Sequence, residues 1–374
     1  MIRIMLTASK LPRRLARPLV PTPLLLGIVL IGALIGALGG ARPALADPPG
    51  HAPRHLTTAT YNVYLGADLT PIITAPDEEE MVRRAAAAYA QMEKTDFPAR
   101  AEAIADVLAE NPPEIVGLQE VALWRIGPID GELTTSYDFL DLLTRALAER
   151  GLAYRPVATN TNFSSELPIS DTMSASFTDR DVIIARTDLP PSRLKISNAQ
   201  SHTFAAKFVI PTPAGRTFIV PRGWSAVDVK VRGATVRVAN THLEAFNGEV
   251  RNLQATELRT ALAGSPHPVA LVGDLNSLPE DSAGAYGMFT QSGYVDAWVA
   301  VHGPEGGFTA GQSADLDNFP SLLDHRVDYV LYEAGKMRAV AADVVGEEDD
   351  DRTPAGLWPS DHAGVVATLR LARR

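Results

Sequence analysis

Short apolar segments that recur along the chain constrain its fold more than any other feature of the sequence. Ile115–Gln119, Val182–Ala185 and Val269–Val272 are almost entirely apolar. Runs of this kind are typical of β-strands that are covered on both faces. Further short β-rich runs lie at Thr58–Leu65, Phe218–Val220, Ala226–Val231, Thr235–Ala239, Val327–Leu331 and Gly364–Leu369.

Helical patterns lie between these strands. Asp77–Lys94 opens with four acidic residues, which suit the positive N-terminus of a helix. Ala99–Glu110 has apolar residues at helical spacing and stops at Asn111-Pro112-Pro113, where proline forbids continuation. Tyr137–Arg150 and Glu249–Ala263 have similar patterns. The mixture predicts an α/β protein in which helices pack against sheets.

The first 46 residues have the layout of a secretory signal peptide. Basic residues precede an apolar stretch from Leu24 to Leu38, and Ala44-Leu45-Ala46 offers a cleavage site between small residues. We expect residues 1–46 to be removed on export and residues 47–56 to form a flexible leader. An uncleaved membrane anchor is the alternative, and Arg13-Arg14 leaves twin-arginine export open.

The remainder, residues 57–371, shows no low-complexity linker and no fixed-period repeat, so we expect one domain. The chain has no cysteine, which excludes disulfides and any zinc site built on thiolates. A metal would therefore sit on carboxylate, amide, histidine or water ligands, which suit Mg²⁺, Mn²⁺ or Ca²⁺. The net charge of -10 argues weakly against non-specific nucleic-acid binding, although a local basic groove is invisible in a net count.

Several predicted strands end in polar residues that can bind a metal or a phosphate. Polar residues at strand ends can converge on one rim of a sheet, which is how a scaffold gathers a site from distant sequence positions. Each segment alone has an ordinary structural explanation as a turn, a cap or a solvated strand end. The segments are Thr60-Tyr61-Asn62-Val63, Val116-Gly117-Leu118-Gln119-Glu120-Val121, Ala239-Asn240-Thr241-His242-Leu243, Val272-Gly273-Asp274-Leu275-Asn276, Arg326-Val327-Asp328-Tyr329 and Ser360-Asp361-His362.

The order of these segments resembles the endonuclease/exonuclease/phosphatase superfamily, and it spans the chain from Asn62 to His362. The resemblance implies a four-layer α/β/β/α sandwich of two packed mixed sheets with helices outside. It also implies that residues 57–371 form a single catalytic domain that cleaves a P–O bond with a divalent metal. Mg²⁺ is the expected cofactor, with Mn²⁺ or Ca²⁺ possible.

Chemistry and resemblance together suggest a role for each polar residue. Glu120 is the main candidate for a metal carboxylate, and Asn62 and Asp361 would complete the ligand shell directly or through water. His242 and Asn276 would donate hydrogen bonds to the phosphate.

Two groups remain open as the base. Asp274 would position or deprotonate the attacking water, or would instead touch a second metal. His362 is the other candidate base, and Asp328 is the expected carboxylate partner that fixes its tautomer.

The sequence leaves the substrate open between a nucleic acid, a phospholipid and a small phosphoester. A sphingomyelinase-like phosphodiesterase and a non-catalytic binding module on the same fold are the alternatives to a general phosphoester hydrolase. We expect a monomer that keeps no stable membrane anchor after cleavage. Two segments suggest additions to the rim: the connection containing Asp77–Lys94, which either overhangs the site or is a surface decoration, and the polar residues 159–181, which suggest a rim loop.

Overall fold

The computed structural model describes residues 54–372, in which two mixed β-sheets face each other. The first sheet has eight strands, numbered in chain order through the whole protein. Its central strands β1 and β2 are parallel, and its other pairs are antiparallel. The strands are β1 (His55–Asn62), β2 (Ile115–Gln119), β3 (Leu123–Pro128), β4 (Thr134–Asp138), β5 (Tyr154–Pro168), β6 (Met173–Arg186), β15 (Met337–Val345) and β16 (Gly364–Leu371).

The second sheet has six strands and contains one parallel pair, β11 with β12. A separate two-stranded hairpin joins β8 (Phe208–Pro211) to β9 (Thr217–Val220). The strands of the second sheet are β7 (Leu194–Thr203), β10 (Gly223–Val231), β11 (Ala234–His242), β12 (Val269–Asp274), β13 (Tyr294–Asp296) and β14 (Asp328–Glu333).

Seven α-helices cover the sheets in the described part of the chain. The longest helix, Glu78–Lys94, lies where the sequence predicts a helix. The side chain of Asp77 accepts a hydrogen bond of 2.8 Å from the Glu80 amide and caps its first turn. The helices are α1 (Thr70–Ile73), α2 (Glu78–Lys94), α3 (Phe97–Glu110), α4 (Phe139–Glu149), α5 (Gly248–Ala263), α6 (Ala285–Gln291) and α7 (Ala297–His302), with a 3₁₀ turn at Asp349–Asp351.

Three large apolar clusters confirm the predicted four layers. One fills the space between the sheets, with Val227 and Val272 from one side and Ile183 and Val365 from the other. A second lies between the first sheet and helices α2 to α4, and a third lies between the second sheet and helices α5 and α6. The burial of both faces explains why the central strands are almost continuously apolar.

The predicted leader extends two residues too far. His55 and Leu56 already belong to β1, where they are paired with Arg370 and Leu369 of β16, and Leu56 is buried. The pairing with a C-terminal strand is invisible locally, so the sequence alone did not reveal it. Residues 1–53, which include the predicted signal peptide, lie outside the described residues. Within residues 54–372, no helix combines the length and hydrophobicity that a membrane span requires.

The prediction of a rim loop at residues 159–181 is wrong. This segment forms most of a long antiparallel pair, β5 with β6, which bends at two irregularities. The polar composition misled because only alternate residues of the pair face the protein. Phe163, Ser165 and Leu167 of β5 line a cavity, while Ser164 and Glu166 between them are exposed.

Candidate active site

The strand ends with polar residues meet at one edge of the two sheets. In the first sheet Asn62 is paired with Gln119, and Glu120 follows directly. In the second sheet His242 is paired with Asp274, and Asp274 is paired with Asp328 across the antiparallel neighbour. Because parallel strands end at the same edge of a sheet, both parallel pairs deliver their final residues to one place.

Two residues beneath this edge hold the sheets together. The Gln119 side-chain amide donates to Asn240 Oδ1 at 2.7 Å, and Asn240 Nδ2 donates to the Leu118 carbonyl at 3.1 Å. The sheets also approach closely at Gly117, since a Cβ there would be 2.5 Å from the Val272 side chain. Asn240 and Gln119 are thus structural partners of the residues that follow them, whereas Glu120 and His242 face the cavity.

The backbone at the edge adopts conformations that aim side chains inward. Glu120 has φ 57° and Asn276 has φ 47°, both in the left-handed region. Such a conformation costs about 1–2 kcal/mol for a residue with a Cβ, and outliers of this kind cluster at functional sites. Gly273 of β12, three positions before Asn276, has φ 148°, and a Cβ there would lie 2.1 Å from the Thr241 carbonyl oxygen. The neighbouring strand therefore requires glycine at this position.

Glu120 lies among other acids. Its Oε2 accepts a hydrogen bond of 2.9 Å from the Leu65 amide, and its Oε1 lies 3.4 Å from Asn62 Nδ2. Burial, with the charges of Asp361 and Asp179, raises the pKa of Glu120 to about 7. A carboxylate in these surroundings is stabilised in its charged form by a cation.

Asp361 is tied to the end of β1 through a buried arginine. Arg100 of α3 donates from Nη1 to the carbonyl oxygens of Val63 at 2.8 Å and Pro359 at 3.0 Å. Ser360 Oγ donates to the Asn62 carbonyl at 2.7 Å. These bonds join the end of β1 to the loop before β16, although Ser360 and Asn62 are 298 positions apart in the sequence. Burial raises the pKa of Asp361, as it does for Glu120.

His362 and Asp328 form the pair that the sequence suggested. Nδ1 of His362 lies 2.8 Å from Asp328 Oδ2, which leaves Nε2 free to face the cavity. Burial alone would lower the pKa of His362, but the charge and hydrogen bond of Asp328, with Asp361 and Asp274, raise it well above its ordinary value. Asp328 is fully buried, and it is not among the residues that line the cavity. It touches the histidine from behind.

Asp274 occupies the centre of the site. Its Oδ1 accepts from the Asn276 amide at 2.8 Å, and its Oδ2 accepts from Asn62 Nδ2 at 3.2 Å. Burial and the charge of Asp328 raise its pKa to about 6. Asn62 Nδ2 also lies 3.4 Å from Glu120 Oε1, so it bridges two carboxylates from below the cavity, while Asn62 Oδ1 accepts from the Tyr64 amide at 3.1 Å. Its role as a metal ligand stays a prediction.

His242 has an environment opposite to that of His362. Arg222 Nη1 lies 2.9 Å from His242 Nδ1, and arginine has only donors. Nδ1 must therefore accept, which places the histidine proton on Nε2, 3.5 Å from Asp274 Oδ2. Burial, then Arg222 and His362, lower the pKa of His242 well below its ordinary value. A neutral ring with its N–H turned to the site is able to donate a hydrogen bond to a phosphate oxygen, and this role of His242 stays a prediction.

Behind Arg222 lies an acidic network that the sequence analysis missed. Asp179 Oδ2 accepts from Arg222 Nη1 at 3.0 Å, and Asn162 Nδ2 donates to Asp181 Oδ2 at 2.8 Å. Burial raises the pKa of Asp179, and burial with the charge of Asp179 raises that of Asp181 well above its usual range. Asp179 and Asp181 stand two positions apart on β6, so they share a face. Two acids at this spacing just before an apolar strand run were the available signal.

One cavity of about 420 Å³ contains most of the candidate residues. Asn62 and Asp328 support it from behind. The same cavity also extends over apolar side chains away from the strand ends, such as Phe163 and Phe218. The polar residues of its wall near the strand ends are Glu120, Asp179, Arg222, His242, Asp274, Asn276, Asp361 and His362.

The donor atoms fit a hard divalent cation. Three carboxylates of the wall, Glu120, Asp274 and Asp361, have raised pKa values because burial disfavours several negative charges so close together. Oδ1 of Asp179 and Oδ1 of Asp328 are buried without a hydrogen-bond partner among the described residues. Ligand atoms of Asp274, Asp328 and His362 also lie within 4.8 Å of one another, although the hydrogen bond between His362 and Asp328 already uses two of them. The acids around Glu120 therefore fit a cation better than this second group.

Comparison with solved structures supports the same fold. An endonuclease/exonuclease/phosphatase family protein from Bacteroides thetaiotaomicron has 16% sequence identity and a TM-score of 0.52, over 86% of this chain and 100% of its own. A family protein from Leptotrichia buccalis has 16% identity and a TM-score of 0.52, over 84% of this chain and 100% of its own. A humanized D. rerio TDP2 has 16% identity and a TM-score of 0.50, over 84% and 99%.

No curated protein sequence matches the chain significantly. The model of the Endonuclease/Exonuclease/phosphatase family, however, matches residues 59–362, which is most of the chain. This span begins within β1 and ends at His362, so it includes all the strand ends that form the site. The chain belongs to the Endonuclease/Exonuclease/phosphatase family and is a phosphoester hydrolase.

Proposed function

We propose that the protein hydrolyses a phosphate ester by attack of water on phosphorus and that it requires a divalent cation, with Mg²⁺ favoured. The observation that carries the proposal is the meeting of Glu120, His242, Asp274 and His362 in one cavity. These residues supply an acidic cation site, a neutral hydrogen-bond donor, a carboxylate and a histidine backed by a carboxylate. Together they are the groups that phosphoryl transfer to water needs.

The cation would be held by Glu120 and Asp361, with Asn62 and water completing the shell. Carboxylate and amide oxygens with retained water suit Mg²⁺, and Mn²⁺ or Ca²⁺ can use the same donors. When bound, the cation supplies Lewis-acid stabilisation of the negative charge on phosphate oxygens. The close approach of buried acids gives the protein a physical reason to bind it, because the charge repulsion is relieved.

The protein side chains divide the remaining work. Asp274 accepts a proton from the attacking water, since its carboxylate lies in the cavity wall and Asn62 and Asn276 hold it in place. His362 gives a proton from Nε2 to the leaving oxygen, because Asp328 occupies its Nδ1. His242 and Asn276 donate to the other phosphate oxygens. In the structure the side-chain Nδ2 of Asn276 donates to the Leu243 carbonyl at 3.0 Å. To bind a phosphate oxygen, Nδ2 would have to break that bond or use its second N–H.

The experiment is a turnover assay of the chain from Asp47 onward with Mg²⁺, Mn²⁺ or Ca²⁺. Plasmid DNA, RNA, sphingomyelin vesicles and methyl 4-nitrophenyl phosphate are tested in parallel, with a chelator and the Asp274→Ala variant as controls. We expect cleavage of at least one ester that chelator and Asp274→Ala both abolish. Absence of cleavage with all three cations, together with cation binding by calorimetry, would replace this proposal with the binding-module alternative.

We further propose that the protein is exported and acts as a monomer. The layout of residues 1–46 supports export, and the absence of cysteine excludes a disulfide-linked oligomer. Residues 1–53 themselves lie outside the described structure. N-terminal sequencing of protein from the culture medium tests cleavage after Ala46. Retention in the membrane fraction with an intact N-terminus would favour the anchor, and light scattering measures the oligomeric state.

A further inference from the structure

The cavity that contains the candidate active site continues into an apolar region. We call its two parts the polar end, defined by Glu120, His242, Asp274 and His362, and the apolar end, defined by Trp124, Phe163, Leu167, Phe177, Ile210 and Phe218. A volume of about 420 Å³ is within the range of pockets that hold small ligands. The apolar end is thus part of the space that a substrate would enter.

Two antiparallel pairs form the wall of the apolar end. Phe163 of β5 lies 5.9 Å from Phe218 of β9 and 6.1 Å from Phe177 of β6, measured between ring centroids. Ile210 of β8 lines the cavity on the same hairpin as Phe218. Phe163, Ile210 and Phe218 remain only half-buried, because one face of each is turned to the cavity. Their apolar surface is therefore available to a ligand.

The other wall comes from the connection between β1 and α2. Leu65, Leu69 and Ile73 line the cavity from this segment, so the connection overhangs the site instead of being a remote decoration. The indole N–H of Trp124 donates to the Leu65 carbonyl at 3.0 Å, which removes the polar atom of that ring from the cavity. Ser165 is one of few polar side chains in this region of the wall. The region suits a hydrocarbon group.

The charges of the wall disfavour a polyanionic ligand. Among the described residues that line the cavity, Arg222 is the single arginine or lysine, and it is bonded to Asp179. The acids Asp68, Glu120, Asp274 and Asp361 line the same space. A nucleic acid presents a phosphate on every nucleotide and gains its affinity from arginine and lysine. A ligand with one phosphate at the polar end and an uncharged tail fits this distribution better.

We propose that the substrate is an amphiphilic phosphate ester, whose phosphate binds at the polar end while its hydrocarbon chain lies in the apolar end. The inference rests on the proposed hydrolase function and names the substrate class of that site. Because the two ends are continuous in one cavity, an ester whose phosphate lies at Asp274 and His362 can direct its organic group into the apolar end. The aromatic and aliphatic wall gives that group a dry surface.

The exposed face of the β8–β9 hairpin helps to distinguish a membrane from a dissolved amphiphile as the source of the substrate. Val209 and Ile219 alternate with the cavity-lining residues, and they are 51% and 54% exposed. Phe246, which also lines the cavity, is 68% exposed. An exposed apolar rim beside the opening would contact a lipid surface, whereas a dissolved amphiphile would not need it.

The test measures binding without turnover, in Mg²⁺, with methyl-, butyl-, hexyl- and octylphosphonate, whose C–P bond replaces the ester bond. Calorimetry is expected to show affinity rising about fourfold per added methylene until the apolar end is filled. Ser165→Trp should fill that end and abolish the dependence on chain length, and Phe218→Ala should weaken it. Ile219→Ser, on the outward face of the same strand as Phe218, is the matched control and should leave the series unchanged.

Affinity that does not change with chain length in a folded protein would overturn the amphiphile proposal, even if methyl 4-nitrophenyl phosphate is hydrolysed. Chain-length dependence that Ser165→Trp leaves intact would also overturn it, because the chain would then bind elsewhere. A chain-length effect without hydrolysis of any ester would instead reject the hydrolase function. Tighter binding of single-stranded oligonucleotides than of octylphosphonate would favour a nucleic acid over an amphiphile.

Comparison of two lipid sources completes the experiment. Hydrolysis of a short-chain phospholipid below its micelle concentration is measured beside hydrolysis of vesicles of a long-chain one. A loss with Val209→Ser and Ile219→Ser on vesicles alone assigns the source to a membrane. Equal rates on monomers and vesicles in all variants assign it to dissolved amphiphiles, and both results support the chain-binding assignment.

Discussion

The polar end of the cavity is assembled from strand ends of both sheets, whereas the apolar end is built from one hairpin, one bent strand pair, Trp124 of β3 and the connection before α2. The polar residues stand on central strands that are buried on both faces, such as β2 and β12. Of the apolar residues, Phe163, Ile210 and Phe218 are half-buried, whereas Trp124 and Phe177 are buried. Chemistry that depends on distances of about 3 Å needs rigid supports, while chain binding tolerates adjustment. The two ends should therefore respond to substitution in different ways.

The largest expected effect is that of Asp274→Asn on the polar end. It removes the charge that accepts the proton of water, and general-base catalysis contributes up to about 10⁴-fold. We expect kcat to fall about 10³-fold for every ester, while octylphosphonate still binds more tightly than methylphosphonate. Turnover within tenfold of the wild type would remove Asp274 from the mechanism.

Asp328→Asn should have the next largest effect. The variant keeps the shape of the buried pair but removes the charge that raises the pKa of His362. We expect kcat to fall about 10²-fold, and NMR titration of the metal-free protein should show a lower pKa for His362. Asp324→Asn is the matched control, since Asp324 pairs with His325 at 2.6 Å on the surface. An unchanged rate and pH profile in Asp328→Asn would reject the pair's role.

Glu120→Gln tests the cation site without measuring activity. Calorimetry should show Mg²⁺ affinity reduced at least about tenfold, because a hard cation prefers a charged oxygen ligand. Glu132→Gln, on the surface, is the control. Affinity equal to that of the wild type would move the cation to another set of residues, such as Asp274, Asp328 and His362.

Glu120→Gln should also change how the free energy of unfolding of the metal-free protein depends on pH. In chelated protein the pKa of Glu120 is about 7, against an ordinary value of 4.5. A carboxyl whose pKa is raised by folding stabilises the fold while protonated, and this contribution is lost as the pH rises through its folded pKa. The free energy of unfolding of metal-free wild type should therefore fall between pH 4.5 and 7, and it should fall less in Glu120→Gln. Denaturant unfolding at several pH values measures the difference.

Phe218→Ala gives the smallest effect and belongs to the apolar end. We expect kcat/KM to fall about fivefold for an octyl ester and to stay unchanged for a methyl ester, because only the longer chain reaches the ring. Ile219→Ser should change neither value for dissolved substrates. Equal losses on both esters would mean that Phe218 supports the polar end and not the chain.

Sequence reasoning predicted the polar end better than the apolar end for a physical reason. Asn62, Glu120, His242 and Asp274 follow apolar strand runs, and strand ends in one sheet converge by geometry. The central strand Ile115–Gln119 was predicted residue for residue. The distance between His362 and Asp328 is also the one that the predicted pair requires.

The missed features depend on contacts that no local pattern encodes. Arg222 meets His242 because β10 pairs with β11, and that register is set by the whole sheet. Residues 159–181 were interpreted as a polar loop because the alternation of Phe163 and Leu167 with polar residues is short and irregular. The apolar end exists only where several separate segments meet, so no single segment could predict it.

The division of the cavity into a polar end for chemistry and an apolar end for chain binding is tested most directly by kcat/KM of alkyl 4-nitrophenyl phosphates, from methyl to octyl, in the presence of Mg²⁺. We expect kcat/KM of the wild type to rise with chain length. Asp274→Asn should lower every value by the same factor, and Ser165→Trp should remove the rise while leaving the methyl ester unaffected. A wild-type series without chain dependence, or the same pattern of loss in both variants, would contradict the assignment of chemistry to one end and chain binding to the other.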